Sequence, residues 1–300
     1  MLVTGSARLA AYGRGGDSLQ GRYFMHRLHP FTLSEFQGIE LAGVPDAIPA
    51  LPVEAPTGAA AALAALDRFG GFPEPLLPGS ERTAARWRLG YGERLVREEI
   101  RDLEDFRDLD RIEALYDALP STVGSLLSIN SLREDLEVAF RTAASWLAAL
   151  ERLYAVFRVA PFGARRLRAL RKSQKLYFWD WARVEDEGAR AENLVVLHLL
   201  RLVHWLADMH GEKAELRFFR DAAGHEVDAI ILRRGKPWMA VEVKLSDGPL
   251  DRGIRYLVER VPIPWAFQVA LRGTVVRRVP VAKGTGVRLV PASRFLANLP

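Results

Sequence analysis

From Met239 to Leu245 the chain alternates: Met239, Val241, Val243 and Leu245 share one parity, while Glu242 and Lys244 take the other. A two-residue period is that of a β-strand with one face on a core, so the two charged groups project together from the opposite face. The run His225 to Leu232 just upstream is also rich in strand formers, and Arg233-Arg234-Gly235-Lys236-Pro237 has the composition of a turn. The expected element is a hairpin that brings Asp228 near Glu242. Before it, Ala191 to Leu200 reads as an apolar helix whose single early carboxylate, Glu192, lies near its polar end.

The middle of the chain has a helical period. Prolines 45, 49, 52 and 56 followed by an Ala-rich run from Gly58 to Leu66 predict a loop and a short helix, and Thr83 to Leu103 predicts a long amphipathic one. Two further helices are expected over 125–136 and 140–153, then strands over 154–159 and 175–179, the order of a winged helix-turn-helix. The loop between those strands carries Arg165, Arg166, Arg168, Arg171 and Lys172, either a basic wing for DNA phosphates or a solvated loop. The second helix offers Arg141 and Arg152 but few other long polar groups, so base reading is not expected. Gly273 to Pro300 completes the C-terminal sheet and adds a closing helical turn.

The chemistry is expected where the carboxylates meet. Asp228 and Glu242 are hard oxygen ligands suited to Mg²⁺, which keeps several waters and fills its shell from phosphate. Lys244, two residues on, is placed to orient or deprotonate an attacking water, or to neutralise charge developing on phosphorus. A helix packed across the hairpin points Glu192 at the same metal. Gln268, in the strand-like stretch Trp265 to Val269, is a weaker further member.

A helix glutamate, a strand aspartate and an E-x-K strand, here Glu192, Asp228, Glu242 and Lys244, resemble the site of the PD-(D/E)xK nuclease-like superfamily. The resemblance implies Glu192, Asp228 and Glu242 as metal ligands, all four residues as the catalytic set, and DNA as the partner. A second resemblance covers nearly the whole chain. Thr4-Gly5-Ser6-Ala7-Arg8-Leu9, Ser18-Leu19-Gln20-Gly21-Arg22-Tyr23, Leu28-His29-Pro30-Phe31, Gly70-Gly71-Phe72-Pro73-Glu74-Pro75 and Lys175 to Asp180 look like the archaeal-type AAA ATPases that carry a C-terminal nuclease-like domain of unknown function. That family implies Thr4 or Ser6 as a nucleotide sensor and Arg22 as a sensor or finger arginine. The alternative is that Thr4 and Ser6 cap a turn and Arg22 makes a structural ion pair.

This sequence departs from the family at the phosphate site. It has no G-x-x-x-x-G-K-[ST] segment and no acidic strand before Thr4, so ATP hydrolysis is not expected from it alone. ATP enters only if the missing portion is supplied, and the partners implied are that portion or another ATPase. The expected organisation is an α/β protein in three parts: the end of an AAA core over 1–75, a helical winged-helix region over 76–180, and a nuclease-like α/β domain over 181–300. Apolar surface left by the absent strands predicts self-association. A non-catalytic DNA- or protein-binding role is the alternative function.

Composition adds limits. The 300 residues are 49% hydrophobic and 26% charged, ordinary for a globular chain, and the net charge of +5 leans toward polyanions. There is no cysteine, which excludes disulfides and cysteine-based zinc sites. Neither a membrane-length apolar run nor a signal-like segment is seen, so a cytoplasmic location is expected. His198 and His204 lack an H-E-x-x-H spacing and are expected in the core or an interface, and His26 and His29 are expected on a strand following Tyr23.

Overall fold

The computed structural model describes residues 24–39, 54–101, 106, 108–163, 174–281 and 286–300. Helix α1 (Leu33–Phe36) begins in a capping box, with Thr32 accepting from the Glu35 amide and Glu35 returning to the Thr32 amide. Then come α2 (Ala59–Phe69), α3 (Pro73–Leu76) and α4 (Glu81–Arg94), which runs on as a π-helical turn over Leu95–Ile100. Helices α5 (Leu109–Ala118), α6 (Ile129–Asp135) and α7 (Phe140–Arg152) complete the helical part. The helices expected near 58–66, 83–103, 125–136 and 140–153 are therefore present, shifted by a few residues.

Strands β1 (Val156–Pro161) and β2 (Lys175–Phe178) follow, then the 24-residue helix α8 (Glu187–His210). Asp186 caps α8 by accepting from the Ala189 amide, and Gly211 closes it in the left-handed region. Next come β3 (Ala214–Arg220), β4 (Glu226–Arg233), β5 (Lys236–Lys244), α9 (Arg252–Val258), β6 (Trp265–Ala270), β7 (Arg277–Val279), β8 (Val287–Pro291) and α10 (Ala292–Leu296).

The described strands form one sheet in the order β2-β1-β3-β4-β5-β6-β8-β7. The segment β3-β4-β5 is an antiparallel meander, and β5, β6 and β8 are parallel. The expected β4–β5 hairpin is confirmed, with Ala229 opposite Val241 and Ile230 opposite Ala240. Strands β1 and β2 form the expected antiparallel pair, and β1 also pairs in parallel with β3, so this hairpin is continuous with the C-terminal sheet.

Each face of the sheet has its own apolar layer. Ala229, Ile231, Met239, Val241 and Phe267 pack with Leu194, Val195 and Leu202 of α8, whereas Ile230, Ala240 and Ala266 pack with Ile254 and Leu257 of α9. The first layer extends through Leu63 and Leu66 of α2, Trp146 and Leu150 of α7 and Phe295 of α10, so the helical segments and the sheet share one core. Polar ties reinforce it. The Leu33 amide donates to His198 Nε2 at 3.1 Å, Ser34 Oγ donates to the Leu299 carbonyl at 2.7 Å, and Trp181 Nε1 donates to the Leu66 carbonyl at 2.7 Å. Buried Asp180 pairs with Arg88 at 3.0 Å, directly under Gly70. A β-carbon at Gly70 would stand 2.5 Å from Asp180 Oδ1, and φ there is +82°.

Two expectations about the histidines meet the structure differently. His198 is buried as expected. The strand expected around His26 and His29 is not formed, because residues 24–29 direct their polar groups elsewhere: the Arg27 amide donates to Asp208 Oδ2 at 3.0 Å, and His29 Nε2 meets His204 Nδ1 at 2.8 Å. Among the described residues no helix is long and apolar enough to cross a membrane.

The tightest approach lies between α9 and β4. A β-carbon on Gly253 would fall 2.0 Å from the Glu226 carbonyl oxygen, a backbone atom that cannot step aside. Gly253→Ala raises helix propensity yet is expected to destabilise the protein by about 1–3 kcal/mol through overpacking. Urea denaturation checks this, and an unchanged or higher midpoint would show that α9 is free to shift.

Candidate functional site

The β4–β5 ladder sets Ala229 opposite Val241, so Asp228 and Glu242 are the next residues along each strand, and they lie close enough for Glu242 to act on the Asp228 carboxyl. The Val243 amide donates to Asp228 Oδ2 at 2.8 Å and locks the aspartate to β5. Both carboxylates are buried, at 9% and 6% exposure, where charge is costly. Burial, with Glu192 and Glu242 nearby, raises the Asp228 carboxyl well above the usual range. Burial likewise pushes Glu242 up to about 7, against the pull of Lys244. Glu242 Oε2 is buried without a hydrogen-bond partner.

Lys244 bridges Glu242 Oε1 at 2.7 Å and Asp251 Oδ2 at 2.9 Å. Burial opposes its charge, but the two carboxylates outweigh that and hold the ammonium above the ordinary lysine range. Asp251 also caps α9, its Oδ1 accepting from the Gly253 amide. Gln268 is spent on the same connection, its Oε1 accepting from the Asp251 amide and its Nε2 donating to the Pro249 carbonyl. Gln268 therefore positions Asp251 and does not face the carboxylates as a further ligand.

Glu192 joins through a group outside the expected set. Lys175, on β2, is fully buried, and its Nζ lies 2.9 Å from Glu192 Oε1, 2.5 Å from Glu226 Oε1 and 3.7 Å from Asp228 Oδ1. Burial disfavours this charge, yet Glu192, Asp228 and Glu226 together hold the ammonium above its usual range. Tyr177 Oη also donates to Glu192 Oε1, at 2.7 Å. Arg220 meets the other oxygen of Glu226 at 3.2 Å.

The four residues expected to meet, Glu192, Asp228, Glu242 and Lys244, belong to one cluster. Glu192 enters it by way of Lys175 Nζ and Tyr177 Oη, which both meet its Oε1. Among the described residues no three acidic or histidine side chains are arranged to hold a metal ion. What does suit a hard divalent cation is the pair Asp228 and Glu242, through the unpartnered Glu242 oxygen. Around them five carboxyl groups (Glu192, Glu226, Asp228, Glu242, Asp251) meet three cations (Lys175, Lys244, Arg220), and Asp228 and Glu242 are raised toward the protonated form in place of further cations.

Thr4, Ser6 and Arg22, expected to sense nucleotide, lie outside the described residues, as do Arg165, Arg166, Arg168, Arg171 and Lys172. Sequence reasoning missed Lys175, Tyr177, Glu226 and Asp251 as members of the site. A usable signal was present for Lys175, because a lysine opening the otherwise apolar run Leu176-Tyr177-Phe178-Trp179 has to find carboxylates if that strand is central.

Two family models match the chain. A domain of unknown function, DUF8612, covers residues 63–183, and a second domain of unknown function, DUF4143, covers residues 187–277. The latter is a domain found in AAA-ATPase-associated proteins. Neither curated proteins nor solved structures gave a match. The five carboxylates all lie in the second matched stretch and Lys175 in the first.

The raised Glu242 carboxyl makes stability depend on pH. The unfolded chain ionises this group near its ordinary value of 4.5, the folded chain near 7. As pH rises between these values the unfolded state loses its proton first, so stability falls through that window and the loss is complete above it. Asp228 adds in the same sense, while Lys244 and Asp251 keep their charges. In EDTA, Glu242→Gln is expected to flatten the decline from pH 4.5 to 7 by about 2 kcal/mol, which chemical denaturation at several pH values will read. An equal decline in both proteins would mean that Glu242 is ionised throughout.

Proposed function

We propose that the chain is a Mg²⁺-dependent phosphodiesterase acting on DNA, built on a PD-(D/E)xK-type site. The observation that carries this reading is the buried pair Asp228 and Glu242, with one carboxylate oxygen left without a partner. The convergence of a helix glutamate, a strand aspartate and an E-x-K strand in one cluster supports it. A net charge of +5 favours a polyanionic substrate. The DUF4143 match supports an AAA-type ATPase as the associated component, the P-loop being supplied by sequence other than these residues.

Asp228 and Glu242 would hold the ion, and Glu192 stays beside them under the control of Lys175. Mg²⁺ bound there would act as a Lewis acid toward a phosphate and lower the pKa of a bound water. Lys244, held as an ammonium by Glu242 and Asp251, would neutralise negative charge that grows on the phosphate oxygens or orient the attacking water. It is also the most exposed of the four, at 38% of its side chain, and so the group that a phosphate meets first. Asp251 and Gln268 fix the path of the chain around it.

A second reading has its own support. The Lys175 ammonium already compensates Glu192, Glu226 and Asp228, as expected of a structural cluster in a non-catalytic binding module.

Incubation with single- and double-stranded DNA in Mg²⁺ or Mn²⁺ separates the two. Cleavage by the wild type is expected, with a loss of about 100-fold or more in Asp228→Ala and in Lys244→Ala. Calorimetric titration is expected to find ion binding in the wild type and none in Asp228→Ala/Glu242→Ala. Wild-type cleavage rates in either single variant, or no cleavage by the wild type, would leave the binding-module reading in place.

A further inference from the structure

The carboxylate cluster already contains a cation in the position that a metal would contest. Lys175 Nζ touches a helix glutamate and two strand carboxylates, Glu192, Glu226 and Asp228, within 3.7 Å, and its side chain is 1% exposed. These are hard oxygen donors of the type that hold Mg²⁺ and Mn²⁺. We propose that Lys175 is a built-in counter-cation which a divalent ion must displace or crowd aside, so that the β1–β2 hairpin sets how readily the site takes up metal. The inference rests on the preceding reading in one respect, that a divalent cation enters this cluster.

The backbone and side chain of Lys175 differ in how firmly they are held. Its main chain is fixed on both sides: it pairs with Val159 of β1 and bridges to Leu126, and the Leu127 amide donates to the Gln174 carbonyl at 2.8 Å. The four-carbon stem is held by packing and ion pairs and carries no backbone hydrogen bond, with Nζ 5.6 Å from the centre of the Phe218 ring. Displacing the ammonium thus leaves the backbone pairing of β2 intact. It would free Glu192 Oε1, still held by Tyr177, and Asp228 Oδ1, on the side opposite the Val243 amide. A 2+ ion supplies more charge to these carboxylates than the 1+ ammonium does.

This ties the two family matches into one device. The regulator lies in the stretch 63–183 and the ligands in 187–277, so changes in the helical part that pull on β2 reach the carboxylates through Lys175, with Tyr177 beside it on Glu192.

The test replaces the ammonium and reads cation response without any reaction. Melting temperatures of wild type, Lys175→Met and Lys175→Arg would be measured in EDTA, in millimolar Mg²⁺ or Mn²⁺, and in NaCl of equal ionic strength. Lys175→Met is expected to melt lowest in EDTA and to regain most of the loss with the divalent ions but not with NaCl, while Lys175→Arg behaves as wild type. Equal recovery in NaCl, or a divalent response no larger than that of wild type, would overturn the proposal.

Where Lys175→Met alone does not fold, Lys175→Met/Glu226→Gln removes one charge of each sign and keeps the balance. Titration calorimetry is expected to find Mn²⁺ bound at least tenfold more tightly by this variant than by wild type, and equal or weaker binding overturns the proposal. These readouts stand apart from DNA cleavage. Wild-type cleavage with unchanged ion affinity in the Lys175 variants sinks this inference alone, whereas tighter binding in those variants with no cleavage by any form sinks the phosphodiesterase reading alone.

Discussion

A lysine with no solvent contact is tolerable only beside carboxylates, and buried carboxylates are tolerable only beside cations. Lys175 and its three acidic partners meet both conditions at once, and the chain is arranged to let them do so. The partners come from α8, which follows soon after β2 in the chain, and from β4, which lies beyond β3, while the lysine comes from β2. Removing either side from such a group typically costs about 3–5 kcal/mol, because the remaining charge stays buried and unpaired. The cluster thus constrains how the β1–β2 hairpin docks on the sheet. It also explains why the hairpin is an integral part of the sheet, paired to β3, when the sequence pattern alone suggested a free wing.

The second lysine works differently. Lys244 is partly exposed and spans Glu242 and Asp251, so it links the end of β5 to the cap of α9. Gln268 on β6 holds the same corner from the other side. The close contact of Gly253 with the Glu226 carbonyl seats α9 against β4, and that seat fixes the distance between the two lysine-centred halves of the site. Packing, capping and charge pairing therefore converge on one end of the meander. The chemistry proposed for that end relies on their joint geometry.

Several strands of the sheet were readable from the chain, though β3 was not. Alternation in β5 and turn composition at Arg233 to Pro237 gave the hairpin, and the apolar run after Glu192 gave α8, because periodicity reports directly which face is buried. Asp228, Glu242 and Lys244 could be grouped because a hairpin register is local. Glu192 could be grouped only through resemblance, and Lys175 not at all, because nothing local ties residue 175 to residue 228. The strand expected at His29 failed for a related reason: a short polar-apolar run becomes a strand only when a neighbouring edge is free, and here His204 and Asp208 took its polar groups.

The sequence by itself determined most of the helices, the β4–β5 hairpin, a shared face for Glu242 and Lys244, and the nearness of Asp228 to them, since these depend on contacts between near neighbours. Only the tertiary structure decided that β1 and β2 join the same sheet, that Glu192 meets Lys175 and Tyr177, and that Gln268 serves Asp251. Those outcomes depend on which charges burial brings together. Burial is a property of the whole core, and it raises the energy of a lone charge far more than any local preference of the chain can offset.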